Sequence, residues 1–220
     1  ALPILKDPTI NLSMGQTAEN LAWRFGITRT DMDEYAVNSH KKYNTEQSID
    51  ILENEITTIY DKSGTHYNTD ESVRAKNSIE KLAKLRPVFD KIFGNVTAGN
   101  SAPITDGASF VLLASDAALD KYGLRDKVLA KIVDINWAGV DPSEMGLGPA
   151  KSIVPLVTRN GLRVNDIDSF ELNEAFAAQV IGCLKAMESK DYCSEEFGMD
   201  EAFGEIDPTK LNAHGGSISI

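Results

Sequence analysis

Apolar positions along the first hundred residues recur at helical spacing within polar surroundings. "TAENLAWRFG" predicts a helix, with Thr17 as candidate N-cap and Gly26 as its stop. "TRTDMDEYAVNSHKKYN" opens on a capping box, Thr28 with Asp31 three residues on, and places Tyr35, Ala36 and Tyr43 near one face of a second helix. "EITTIY" reads as a strand and "DKSGT" as a turn. Residues 61–100 are a polar excursion with a short helix around "SIEKLAKL", which Pro87 ends.

From residue 106 the rhythm changes. "DGASFVLLAS" is a nearly continuous apolar run, the pattern of a strand covered on both faces. Ser115 then caps a short helix that stops at Gly123, and "VLAKIVDI" is another strand. "GPAKSIVPLVTRNG" predicts a helix with Pro149 at its first position, Gly161 as its stop and Pro155 as a kink or shortening of it. "DSFELN" is a strand leading into the helix "EAFAAQVIGCLKAM", with Phe176, Val180, Ile181 and Leu184 as its apolar stripe. Residues 188–210 are acidic and read as an inserted surface segment, after which "LNAHGGSISI" returns to strand. Strands and helices alternate across 106–187, which predicts a layered α/β core.

The 220 residues allow one large domain or two small ones. A net charge of −11 argues against a nucleic-acid surface. No apolar run reaches the ~20 residues of a membrane span, and no signal-peptide pattern opens the chain. Cys183 and Cys193 form no metal-type spacing and no disulfide framework, so a reducing, intracellular setting is expected. The chain opens at Ala1 without an initiator Met and stops at Ile220 inside an alternating run, and it is expected to be part of a longer polypeptide.

Four features carry candidate chemistry. In "FELNEAFAAQV" Asn173 stands between strand and helix, at the strand's carboxyl end, where α/β sheets gather ligands. A carboxamide holds a water or a carbonyl oxygen without titrating, which suits a site where negative charge develops on oxygen. Asn is also among the best N-caps, and on the residues alone both readings stay open. "RAKNSIEKLAKLR" gathers Arg74, Lys76, Lys81, Lys84 and Arg86 against Glu80 alone, either a phosphate receiver or a solvated helix face. "SMGQTAEN" and "EMGLGPAK" place Met14 and Met145 before helix starts, as pocket lining or core filler. "TAGNSAPITDGAS" is rich in small residues that let a ligand approach the backbone. There is no GxSxG elbow, P-loop or zinc motif, and no nucleophile is evident.

Together "MGQTAENLAWRFGITRTDMDEYAVNSH", "KLRPVF", "VTAGNSAPITDGA", "DPSEMGLGP", "ELNEAFAAQ" and "LNAHGGSISI" resemble blocks of the thiolase family, in order and at near-family spacing. The resemblance implies a thiolase-like αβαβα core of two similar halves with a loop domain inserted in the first. Residues 1–100 would be most of that loop domain, 101–126 the end of the first core half, and 127–220 the start of the second, with the acidic insertion at 188–210. It implies an acyltransferase that cleaves 3-ketoacyl-CoA or condenses acyl-CoA with acetyl-CoA, using CoA as substrate, no resident cofactor and no metal. Asn173 matches the Asn that holds an oxyanion-hole water. Arg74 and Lys81 match positions near the nucleotide of CoA. Met14, Phe89, Ser101, Ala102, Met145 and Phe176 match the pantetheine and acyl pocket.

Ser13 stands where biosynthetic members have His, and Ala102 replaces a Ser. By the same resemblance the nucleophilic Cys lies upstream of Ala1 and the Gly-His-Pro motif after Ile220, so this chain alone is expected to be inactive. A homodimer or homotetramer is implied for the full-length protein, in the cytoplasm, or in mitochondria or peroxisomes of a eukaryote. The alternatives are a thiolase-like protein that binds acyl-CoA or lipid without condensing it, and a decarboxylating ketosynthase. The latter is disfavoured because those relatives place a second His where "NEAF" stands.

Overall fold

The computed structural model describes residues 6–220; the first five residues of the expected loop-domain span lie outside them. Helix α1, Met14–Arg24, starts three residues before the predicted cap. Ser13 is the N-cap, its hydroxyl accepting from Gln16 N while Gln16 Oε1 accepts from Ser13 N at 2.9 Å. Thr17 instead lies in the first turn and donates its hydroxyl to Met14 O at 2.7 Å. Helix α2, Arg29–Tyr43, opens on the predicted Thr28–Asp31 box. A third helix, α3, Glu46–Glu55, was not foreseen; Thr45 caps it. The hairpin of β1, Ile59–Tyr60, and β2, His66–Tyr67, turns on Asp61, whose carboxylate accepts from Ser63 N and Thr65 N. The excursion then holds only a one-turn helix, α4, Ile79–Leu82.

The second half supplies α5, Asp116–Tyr122, α6, Gly148–Arg159, α7, Ala177–Glu188, and α8, Lys190–Phe197. Helix α6 runs on through Pro155. Helix α7 departs from the predicted single stripe: Ala177, Ala178, Gln179, Val180, Gly182, Cys183, Ala186 and Met187 are all buried. It packs against α1, α2, α6 and α8 and takes part in both apolar clusters of the core. The 188–210 segment is no mere surface insertion either. Its Tyr192, Cys193, Phe203 and Ile206 are buried in the core, and its charges face outward.

The predicted strands differ most. Residues 108–113 and 129–133 make no hydrogen bond among the described residues, with Phe110 95% exposed and Leu129 fully so. A strand is defined by its neighbour, and these runs have none among the described residues. The "DSFELN" run keeps one contact, a parallel bridge between Phe170 and Leu211. Beyond it, residues 213–219 form turns rather than a strand.

Two buried carboxylates tie the first hundred residues to this frame. Asp33 accepts from Arg29 Nε at 2.8 Å and Asn100 Nδ2 at 2.9 Å, and the same guanidinium donates to Leu82 O and Leu85 O. Glu19 accepts from Asn95 N and Val96 N at 2.8–3.0 Å. Removing that acceptor strands buried N–H groups. Glu19→Ala is therefore expected to destabilise the protein by about 2 kcal/mol, read as a lower denaturation midpoint at unchanged m-value.

Candidate functional site

Residues 171–174 form no regular element and Ala175 is a bend, but burial alternates: Leu172 is buried, Asn173 exposed, Glu174 buried. Helix α7 begins only at Ala177, with Phe176 in the cap position and no side-chain cap, so Asn173 is not an N-cap. Its carboxamide has no hydrogen-bond partner among the described residues.

Both neighbours of Asn173 are fixed. Asn212 grips Leu172 on both sides of its backbone, Oδ1 accepting from Leu172 N at 2.7 Å and Nδ2 donating to Leu172 O at 2.9 Å. Glu174, 1% exposed, forms no ion pair among the described residues. Its carboxylate accepts instead from Tyr35 Oη at 2.8 Å, Ser39 Oγ at 2.7 Å, Asn212 Nδ2 at 2.9 Å and Ile218 N at 3.2 Å. Burial, and then the facing carboxylate, raise the Tyr35 phenol well above its ordinary range, which keeps it a donor. Downstream, Ala175 O accepts from Ala102 N at 3.0 Å, and Asn100 O accepts from Ala177 N at 2.9 Å.

An apolar corner adjoins this segment. Phe176 meets Phe89 edge to face at 5.7 Å and bridges to Ser101 through the backbone. Phe89 in turn lies flat against Gly15, where a Cβ would strike its ring, which explains Gly after Met14. Met14 and Met145 are 38% and 41% exposed, and the turn 142–147 bearing Met145 packs on α1 and α7. The Ser101 hydroxyl donates to Thr97 O at 2.7 Å.

The basic residues Arg74, Lys76, Lys81, Lys84 and Arg86 are all exposed. Lys81 Nζ donates to Lys76 O, and Arg74 N donates to Nδ1 of His40, one residue along α2 from Ser39. Burial, and then the Arg74 charge, hold His40 below its usual range. His214 is not isolated either: its Nδ1 lies 2.9 Å from Ser48 Oγ. Of the predicted site residues, the structure gathers Phe89, Ser101, Ala102 and Phe176 around the 175–176 end of this segment, while Arg74 and Lys81 stand on the basic stretch 74–86. Asn173 lines neither of two surface depressions. One of 760 Å³ lies between 158–165 and 199–208, and one of 460 Å³ borders Phe89 and Trp23. Sequence reasoning missed the Glu174 web, whose only local sign was an acid beside an amide and, far off, a Gly-Gly pair.

The thiolase N-terminal domain family matches residues 2–117 and the thiolase C-terminal domain family residues 126–220. The chain belongs to the thiolase family and has its layered α/β fold. It is 34% identical over 218 residues to a 3-ketoacyl-CoA thiolase of Photobacterium profundum, covering 99% of this chain and 50% of that protein. It is 36% identical over 222 residues to the β-ketothiolase BktB of Cupriavidus necator, covering 100% and 52%. The crystal structure of human mitochondrial 3-ketoacyl-CoA thiolase in complex with CoA superposes at a TM-score of 0.82, 34% identical, over 98% of this chain and 49% of that one. The dimeric peroxisomal thiolase of Saccharomyces cerevisiae gives 0.79 at 38% identity, over 94% and 48%. The chain thus spans about half the length of the curated relatives it matches. No helix among the described residues is long and apolar enough to cross a membrane.

Proposed function

We propose that the protein carrying this chain is an acyltransferase that cleaves 3-ketoacyl-CoA with CoA and, in reverse, condenses acyl-CoA with acetyl-CoA. The observation that carries this reading is an unpaired carboxamide, Asn173, on backbone pinned from both sides. In such a reaction a cysteine thiolate attacks a thioester carbonyl, and negative charge develops on its oxygen. A water held by Asn173 donates to that oxygen, and because the amide stays neutral it serves at any working pH. Phe89 and Phe176, with Met14, Met145, Ser101 and Ala102, would flank the pantetheine arm and acyl group. Arg74 and Lys81 would meet the nucleotide phosphates. CoA enters as a substrate, with no metal required. Residues 1–100 would form most of the loop domain, 101–126 the end of the first core half and 127–220 the start of the second, and the full-length protein would act as a homo-oligomer.

The nucleophile is not in this chain. Cys183 is buried, donates to Gly146 O at 3.0 Å, and burial pushes its thiol up to about 11, the reverse of activation. Cys193 is buried as well and accepts from Phe203 N. The chain by itself would therefore lack activity, and the nucleophile would come from the part of the protein that this chain does not span.

The full-length protein, given acetoacetyl-CoA and CoA, should consume the ketoacyl thioester in a CoA-dependent manner. CoA binding without turnover would instead favour a non-catalytic acyl-CoA binder. In the same protein Arg74→Ala should raise the Kd for CoA about tenfold by calorimetry, the loss of one charge-assisted phosphate contact. An unchanged Kd would remove Arg74 from the site.

A further inference from the structure

We propose that Glu174 is the positioning residue of the oxyanion site, acting through Asn173 and not on the substrate. The inference rests on the acyltransferase reading above. Glu174 is a carboxylate with no cation partner among the described residues, yet it collects hydrogen bonds from three separate parts of the chain: helix α2, Asn212 and the turn at 215–219. Burying an unpaired charge is unfavourable unless donors surround it, and here four do, which fixes the side chain in one place. Its geometric consequence falls on the next residue. Glu174 fixes one peptide flank of Asn173, as Asn212 fixes the other, and Asn212 bonds to both Leu172 and Glu174. The only side chain in 172–174 left without a partner among the described residues is the Asn173 amide. The Leu172 backbone and the Glu174 side chain thus restrain the residues on either side of Asn173, and its free group projects from a supported base.

The donors also make the site selective for a carboxylate. Oε1 faces Tyr35 Oη and Asn212 Nδ2, and Oε2 faces Ser39 Oγ and Ile218 N. Hydroxyls can turn round to accept, but Ser39 Oγ already accepts from Gly216 N, and neither Asn212 Nδ2 nor Ile218 N can reverse. A glutamine at 174 would therefore set its amide N–H groups against a fixed donor whichever way it is turned.

The test uses the full-length protein. Glu174→Gln should lower kcat by about 10- to 100-fold with KM for the CoA thioester within about threefold, the signature of a misplaced transition-state group. The decisive readout is a double-mutant cycle with Asn173→Ala. If Glu174 acts through Asn173, Glu174→Gln has no further effect on kcat in the Asn173→Ala background. Multiplicative effects would assign Glu174 a general structural role and overturn the proposal, as would wild-type kcat in Glu174→Gln. Should Glu174→Gln fail to fold, Ser39→Ala carries the test. It removes one donor and keeps the carboxylate, and is expected to lower kcat about threefold, again with no effect once Asn173 is gone. A wild-type kcat in Ser39→Ala, or effects that multiply, overturns the proposal in that case. If Asn173→Ala itself leaves kcat unchanged, it is the oxyanion reading that fails, a result separable from the others.

Discussion

Asn173→Ala is expected to lower kcat for 3-ketoacyl-CoA cleavage by about 10²- to 10³-fold while KM for CoA stays within about threefold. The size follows from what is lost: one pre-aimed donor system at the oxygen that gains charge, with no solvent able to reorganise into its place at no cost. The small KM effect follows from the site's construction. Asn173 makes no side-chain bond among the described residues, and the bonds that hold its flanks belong to Leu172 and Glu174. Truncation therefore leaves the apolar corner at Phe89 and Phe176 and the exposed cations at 74 and 81 in place. Stability should change by less than about 0.5 kcal/mol, as for an exposed position without partners. Steady-state kinetics and a thermal melt on the full-length variant check both statements together. A kcat equal to wild type would remove Asn173 from the chemistry. A kcat loss accompanied by a large drop in melting temperature would mean that the amide has a structural partner.

What could be read from the sequence was local. The Thr28–Asp31 box, the Asp61 turn, the Ser115 cap and the Pro149 helix start each depend on residues a few positions apart, and each stands as expected. Thr17 misled because a threonine in the first turn bonds back to Met14 O as readily as it caps. The strands expected at 108–113 and 129–133 find no ladder partner among the described residues, and a run of apolar residues does not by itself say which neighbour it would pair with. The acidic composition of 188–210 concealed Tyr192, Phe203 and Ile206, whose burial no charge count reveals. Asn173 was legible as a polar residue at a strand-to-helix step, but its freedom from capping depends on α7 starting at Ala177. The web around Glu174 was invisible for a plainer reason. Its side-chain partners Tyr35, Ser39 and Asn212 lie 139, 135 and 38 residues away, and no periodicity links them.

The second large effect belongs to the Gly-Gly pair. Gly216 is closed to any side chain: a Cβ there would stand 2.5 Å from Glu174 Cδ and 2.7 Å from its Oε2. That neighbour is not the free end of a flexible chain. It is a buried carboxylate held by four donors, so the clash cannot be relieved without breaking hydrogen bonds to a charge. Overpacking of a tight interior costs about 1–3 kcal/mol and each strained charged bond a further share, so Gly216→Ala should destabilise the full-length protein by about 3–5 kcal/mol. Gly198→Ala is the informative contrast. Gly198 also lies outside a helix, at φ 65°, but nothing stands within 4 Å of its would-be Cβ, so only left-handed backbone strain of about 1 kcal/mol is lost. Chemical denaturation of both variants against wild type separates the two causes. If the Gly216 variant is no less stable than the Gly198 variant, the carboxylate is free to move, and the rigid support inferred for Asn173 does not exist. If it is far less stable, the surviving folded fraction should also turn over slowly, because the same displaced carboxylate anchors the oxyanion amide.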